Sequence, residues 1–161
     1  MLNDIQFTGK EYNVYVNGRR CATISNPDKS SGGQITVENK LYSIPGYAGV
    51  FSAPNFQLNF NGEVLATIEF SNTSLSKFRL ILTNDREYTF KIPFFSGARF
   101  PFTAFLDGNK VGEIFNPLGA FQTRPRADRE SIVIDLPDII PLPIQLFVYW
   151  CVLLKWGDMT T

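Results

Sequence analysis

Short segments in which apolar and polar residues alternate recur along most of the chain. In residues 12–17, YNVYVN, apolar and polar positions partly alternate, which is typical of a half-buried β-strand. Asn17-Gly18 follows, and this dipeptide favours a type I′ hairpin turn because both central residues need a positive φ. RRCATIS, residues 19–25, is the expected return strand. The pattern therefore predicts a β-hairpin close to the N-terminus.

The same hairpin pattern occurs twice more, around Asn61-Gly62 and Asp107-Gly108. The second copy is FQLNF-NG-EVLATIEF and the third is FTAFL-DG-NKVGEIFNP, at Gly-to-Gly spacings of 44 and 46 residues. Counted from each glycine, three positions match between the copies: Cys21, Leu65 and Val111 at +3, Ala22, Ala66 and Gly112 at +4, and Ile24, Ile68 and Ile114 at +6. Such a period indicates duplicated supersecondary units.

The C-terminal stretch from Pro137 to Trp156, PDIIPLPIQLFVYWCVLLKW, predicts a helix over about 141–156. Pro141 and Pro143 suit the lead-in and the first turn of a helix, and Gly157 suits its end. Apolar residues occupy every face of this helix, and a helix of that kind is enclosed by protein or by lipid.

The strand-like segments number about twelve between residues 4 and 136, within a single domain spanning 1–161. A barrel of that many strands is too wide for its own side chains to fill. The apolar helix would fill it. The predicted fold is therefore mainly β: a closed, roughly twelve-stranded antiparallel β-barrel that encloses a hydrophobic C-terminal α-helix.

Charge and the N-terminal sequence narrow the classes of partner. The chain has 161 residues, with 15 Lys plus Arg and 15 Asp plus Glu, so no global field attracts nucleic acid or an anionic membrane. The N-terminus lacks a charged leader followed by an apolar run, so no signal peptide is expected. We expect a cytoplasmic protein that binds no nucleic acid and touches membranes only peripherally, if at all.

The residue inventory argues against most kinds of catalytic site. The chain contains no His, which removes imidazole bases, Ser-His-Asp triads and most catalytic zinc sites. No Gly-rich phosphate loop occurs. Cys21 and Cys151 are predicted to be reduced and buried, the alternatives being a disulfide or a reactive thiol. We therefore expect no catalytic residue, no bound metal and no cofactor.

The hairpin repeats and the apolar C-terminal helix together give the chain a resemblance to the tubby C-terminal-like superfamily. That group includes tubby-like proteins, phospholipid scramblases and plant LURP-one-related proteins. The resemblance rests on FTAFLDGNKVGEIFNP, its two weaker copies and PIQLFVYWCVLLKW. It implies a closed twelve-stranded barrel threaded by the helix, and binding of lipid or protein rather than catalysis. The acidic calcium segment expected of scramblases has no counterpart here.

Six basic residues are candidates for an anion site. They follow hairpin turns or share one loop: Arg19, Arg20, Lys110, Arg124, Arg126 and Arg129. One interpretation is a solvated surface, since Asp128 and Glu130 are interleaved with the loop cluster. The other is a site in which guanidinium groups bind phosphate.

The function that these observations favour is a non-enzymatic binding or scaffold domain of the tubby-like, LURP-one-related class. Its partner would be an anionic phospholipid headgroup, such as a phosphoinositide, or a protein. Two alternatives stay open. One is a tail-anchored membrane protein in which 139–156 spans the bilayer, and the other is a small hydrolase that uses carboxylates.

Overall fold

The residues that the structure describes form twelve β-strands followed by one α-helix. A computed structural model describes residues 1–49, 52–92, 100–117 and 132–160, without the side chains of 158–160. The elements in chain order are β1 (Ile5–Phe7), β2 (Glu11–Val16), β3 (Arg19–Ser25), β4 (Gly33–Val37), β5 (Lys40–Ile44), β6 (Asn55–Phe60), β7 (Glu63–Phe70), β8 (Lys77–Leu82), β9 (Glu87–Lys91), β10 (Phe102–Leu106), β11 (Asn109–Phe115), β12 (Val133–Asp135) and α1 (Leu142–Thr160).

All twelve strands belong to one sheet, and each strand pairs antiparallel with its neighbours in sequence. The predicted hairpin turns are present, with φ of 76° at Gly18, 83° at Gly62 and 81° at Gly108. The residue before each glycine also has a positive φ, between 51° and 53°. Both central positions are therefore left-handed, as a type I′ turn requires, and the expectation of a mainly β fold of about twelve strands is confirmed.

The three predicted hairpins share the same irregularity in their strand pairing. In each, the pairing register shifts at the same place, after Val14 in β2, after Leu58 in β6 and after Ala104 in β10. The residue that the shift leaves unpaired lies on the return strand: Cys21, Leu65 and Val111. A β-bulge of this kind adds one residue to a strand and bends it. The repeat in sequence is therefore a repeat in backbone geometry.

The pairing beyond each hairpin also repeats. The isoleucine six residues after each turn glycine is fully buried and faces an aliphatic residue of the next strand: Ile24 opposite Ile35, Ile68 opposite Leu80 and Ile114 opposite Ile134. On the strand after that, Ile35 pairs with Tyr42 and Leu80 pairs with Tyr88. In the third copy the corresponding residue is Leu2, which exchanges two backbone hydrogen bonds with Ile134, of 2.9 and 2.8 Å. The N-terminal segment thus pairs with the last strand.

Helix α1 lies among the inward-facing side chains of the strands. Every residue from Ile144 to Trp156 is buried. The Tyr149 ring lies edge-on to Tyr12 of β2 at 6.0 Å, and the Trp150 ring lies edge-on to Phe56 of β6 at 5.2 Å. Side chains from well-separated strands therefore contact the helix, and the helix is a central part of the core.

Polar groups fix both ends of the buried segment. At the start, Gln145 Nε2 donates a hydrogen bond of 2.8 Å to the Ile140 carbonyl. At the other end, Lys155 Nζ donates to the Ser74 carbonyl at 2.6 Å and Trp156 Nε1 to the Phe100 carbonyl at 3.2 Å. Ser74 and Phe100 precede β8 and β10, so α1 begins near the tight hairpin turns and ends among the longer connections.

The structure corrects two details of the sequence-based interpretation. The helix runs to Thr160, so Gly157 does not end it; Gly157 has no positive φ and continues the helical backbone. Cys21 is half-buried rather than buried, because it is the bulged residue of β3, whereas Cys151 is fully buried; both thiols are free. Among the described residues, no helix has both the length and the apolar content that crossing a membrane requires.

Candidate functional site

The structure separates the six basic residues that the sequence singled out. Arg19 and Arg20 begin β3, whereas Lys110 lies on β11 and forms an ion pair of 3.5 Å with Glu113. Arg124, Arg126 and Arg129 lie outside the described residues. Only the two adjacent arginines are therefore available to define a site.

Arg19 and Arg20 line an open groove of about 530 Å³ on the outer face of the sheet, here called the β3–β4 groove. Its lining residues come from β3, β4 and the turn after β4: Arg19, Arg20, Cys21, Ala22, Thr23, Thr36, Glu38 and Asn39. Volumes of this order are typical of sites for small ligands.

Strand pairing explains why these residues meet. Thr23 of β3 and Thr36 of β4 are direct cross-strand partners, and both alternate with buried residues, so their side chains lie on the outer face. Beyond Val37 the chain turns, and the Glu38 amide donates a hydrogen bond of 3.2 Å to the Cys21 carbonyl. This bond holds the turn beside the start of β3, so Glu38 lies next to the arginine pair.

The charged groups of the groove do not neutralise one another. Arg19, Arg20 and Glu38 are exposed, and within the described ranges none of them takes part in an ion pair. Burial raises the pKa of the Cys21 thiol, Glu38 raises it further and Arg19 lowers it. Both charges therefore act on the same thiol from nearby without pairing with each other, and the thiol stays neutral at pH 7.

The other two repeats show which features are special to this groove. The two residues after the turn glycine are Arg19 and Arg20 in the first copy, Glu63 and Val64 in the second, and Asn109 and Lys110 in the third. The turn and the register shift recur in all three copies, but only the first has two arginines at these positions. The cationic groove is thus a property of one copy rather than of the fold.

Sequence reasoning identified the two arginines but missed Glu38 and the two threonines. Glu38 stands 18 residues after Arg20, in a turn whose sequence, Glu38-Asn39, contains no glycine. Only the register between β3 and β4 brings it to the arginines, and that register has no local sequence signal. Recognising β3 and β4 as consecutive antiparallel strands would have placed Thr23 and Thr36 on one face.

The described residues form a twelve-stranded antiparallel sheet and a buried C-terminal helix, and the β3–β4 groove carries charges of both signs that form no ion pair within those residues. In the part of the chain that the structure describes, no three His, Cys, Asp or Glu side chains come together as a metal site would require. No known protein family, no curated protein and no solved structure matches this chain.

Proposed function

We propose that this protein is a non-enzymatic binding module of the tubby-like kind, in which the strands close into a barrel around α1. Closure is supported by the two hydrogen bonds between Leu2 and Ile134, which lie near the two ends of the sheet. It is supported also by the repeat, because Leu2 takes the place that Tyr42 and Tyr88 hold in the other copies. Slow amide hydrogen exchange at Leu2 and Ile134, comparable with that of Ile35, is the expected result; fast exchange at both would contradict closure.

The proposed ligand is a phosphate group, as carried by an anionic lipid headgroup, and it binds in the β3–β4 groove. The observation that carries this proposal is the presence of two adjacent arginines, free of ion pairs among the described residues, in a groove that also offers hydroxyl groups. Guanidinium groups bind phosphate through two parallel hydrogen bonds, and Thr23 and Thr36 add neutral donors. A chain of zero net charge has no long-range attraction for such a ligand, so the contact must be local.

The proposal is tested with vesicles that contain an anionic phospholipid. We expect binding at low salt that weakens steeply as the ionic strength rises, because the charges are exposed and screened. Replacing both arginines, Arg19→Gln with Arg20→Gln, should abolish binding without lowering the melting temperature.

Lys110→Gln provides the matched control. Lys110 occupies the position in the third copy that Arg20 occupies in the first, but it is paired with Glu113. This variant should bind vesicles as the wild type does. If the double arginine variant binds as well as the wild type, the phosphate proposal is wrong and a protein partner is favoured. If no anionic vesicle binds at low salt, the ligand is not an anionic lipid headgroup, and binding of a soluble phosphate then decides whether the groove takes phosphate at all.

A further inference from the structure

We infer that the β3–β4 groove selects a zwitterionic ligand, one that carries a primary ammonium group beside its phosphate group. This inference rests on the proposed function and adds the second half of the ligand. The chemistry is that of phosphoethanolamine or phosphoserine, present either as a free phosphate monoester or as the headgroup of a lipid.

The first observation is that opposite charges share the groove without cancelling. Arg19 and Arg20 supply two positive charges and Glu38 one negative charge, and within the described residues no ion pair joins them. A site built only for a phosphate would gain nothing from a carboxylate in its lining, because like charges repel. A ligand with a phosphate at one end and an ammonium at the other satisfies both.

The second observation is the backbone at Glu38. Its φ is 47°, a left-handed conformation that residues other than Gly, Asn and Asp rarely adopt. The first turn positions of the three repeated hairpins, which join other strands, hold Asn17, Asn61 and Asp107, and these residue types suit this conformation. Glutamate is therefore a poor choice for the turn itself. Strained residues of this kind cluster at functional sites.

The third observation is the order of groups along the groove. Thr23 and Thr36 are paired across the two strands, and the Glu38 amide is bonded to the Cys21 carbonyl at the end nearer the turn. Cys21 lies close enough to both Arg19 and Glu38 for each charge to change its pKa. The half-buried thiol of Cys21, which lines the groove with these charged residues, is itself neutral and offers an uncharged surface to the short carbon chain that links phosphate to ammonium.

The test compares soluble probes by NMR titration of the full chain at low salt. The probes are inorganic phosphate, O-phosphoethanolamine and O-phosphocholine. Phosphocholine has the same charges as phosphoethanolamine, but its trimethylammonium group has no N–H to donate to a carboxylate. We expect the wild type to bind phosphoethanolamine about two- to fivefold more tightly than either of the other probes. This range corresponds to the free energy that one exposed ion pair contributes.

Glu38→Gln keeps the shape of the side chain and removes its charge. This variant should lose the preference for phosphoethanolamine and bind inorganic phosphate at least as tightly as the wild type does. Glu38→Asn should lose the preference as well, and its melting temperature should equal or exceed that of the wild type because Asn suits the turn. Loss of the preference without loss of stability separates recognition from a structural role.

The outcomes distinguish the inference from the function on which it rests. If wild type and Glu38→Gln bind all three probes with the same ranking, or if removing the carboxylate strengthens binding of every probe equally, the zwitterion inference is wrong and phosphate binding stands. If no phosphate probe shifts the groove resonances, the proposed function fails as well. Vesicles of phosphatidylethanolamine, compared with vesicles of phosphatidylcholine, then show whether a membrane presents the group.

Discussion

Removing the indole of Trp150 is the most direct test of how the helix is housed. The side chain is fully buried, stands edge-on to Phe56, and reaches the backbone of β4 at Gly33. Truncating a buried Trp to Ala costs about 3–5 kcal/mol, since the transfer energy is lost and a cavity remains. The indole nitrogen has no hydrogen-bond partner within the described residues, so packing alone accounts for the cost.

The expected effect is large against the stability of a domain of this size. Net stabilities are about 5–15 kcal/mol, and each kcal/mol shifts the melting temperature by about 2–4 °C for chains of 150–250 residues. Trp150→Ala should therefore melt about 6–20 °C below the wild type in a thermal scan followed by circular dichroism. Ile139→Ala is the matched control, because Ile139 lies just before the helix with 66% of its surface exposed and should melt within about 2 °C of the wild type.

A charged variant sharpens the same test. Leu146 is fully buried, and Leu146→Asp would place a carboxylate in the core without a counter-ion, which costs several kcal/mol beyond the loss of the leucine. We expect that chain, like one truncated at Pro137, to be insoluble or molten. If Trp150→Ala melts at the same temperature as the Ile139→Ala control, or if Leu146→Asp folds normally, packing of the helix does not stabilise the sheet.

Three further predictions concern single side chains. Gly62→Val should destabilise the protein by about 1–3 kcal/mol in urea unfolding, because the turn needs φ of 83° there and valine resists it; an unchanged midpoint would contradict the turn assignment. Gly33→Ala should cost about 1–3 kcal/mol, since the added Cβ would lie 2.5 Å from Trp150 Nε1, and a melting curve like that of the wild type would show that the indole can move away. Burial raises the pKa of Cys151 well above its usual value, and that of Cys21 less, so a thiol reagent at pH 8 should label Cys21 slowly and Cys151 only after unfolding; fast labelling of two thiols in the native protein would refute this.

The parts of the fold that could be predicted are those that depend on residues close together in the sequence. Asn-Gly and Asp-Gly dipeptides fix type I′ turns because few other pairs accept positive φ twice, and the turns at Gly18 and Gly108 follow. The apolar stretch after Pro141 predicted a helix without an exposed face, and the structure buries it from Ile144 to Trp156. The predicted start of the helix was right because proline suits its first turn.

The parts that could not be predicted depend on pairing between distant residues. The contact between Leu2 and Ile134 joins opposite ends of the strand order, and no local pattern indicates it. The bulge at Cys21 is a shift in register between β2 and β3, visible only once both strands are placed. Glu38 lies beside the arginines because β4 pairs with β3. The sequence therefore identified charged residues as candidates, but it did not show which of them lie together. The strand register decides that, and it brings Glu38 to the two arginines.

The three repeats show how one backbone can carry a site in a single place. Inward positions are constrained in every copy, because they belong to one hydrophobic core; the residues six after each turn glycine are all isoleucine and all fully buried. Outward positions carry no such constraint. The pair after the turn glycine is accordingly Arg-Arg, Glu-Val or Asn-Lys, and only the first consists of two cationic residues. The repeated features serve the core, and the proposed phosphate site lies at positions that the copies do not share, because the first copy has Arg19-Arg20 where the others have Glu63-Val64 and Asn109-Lys110.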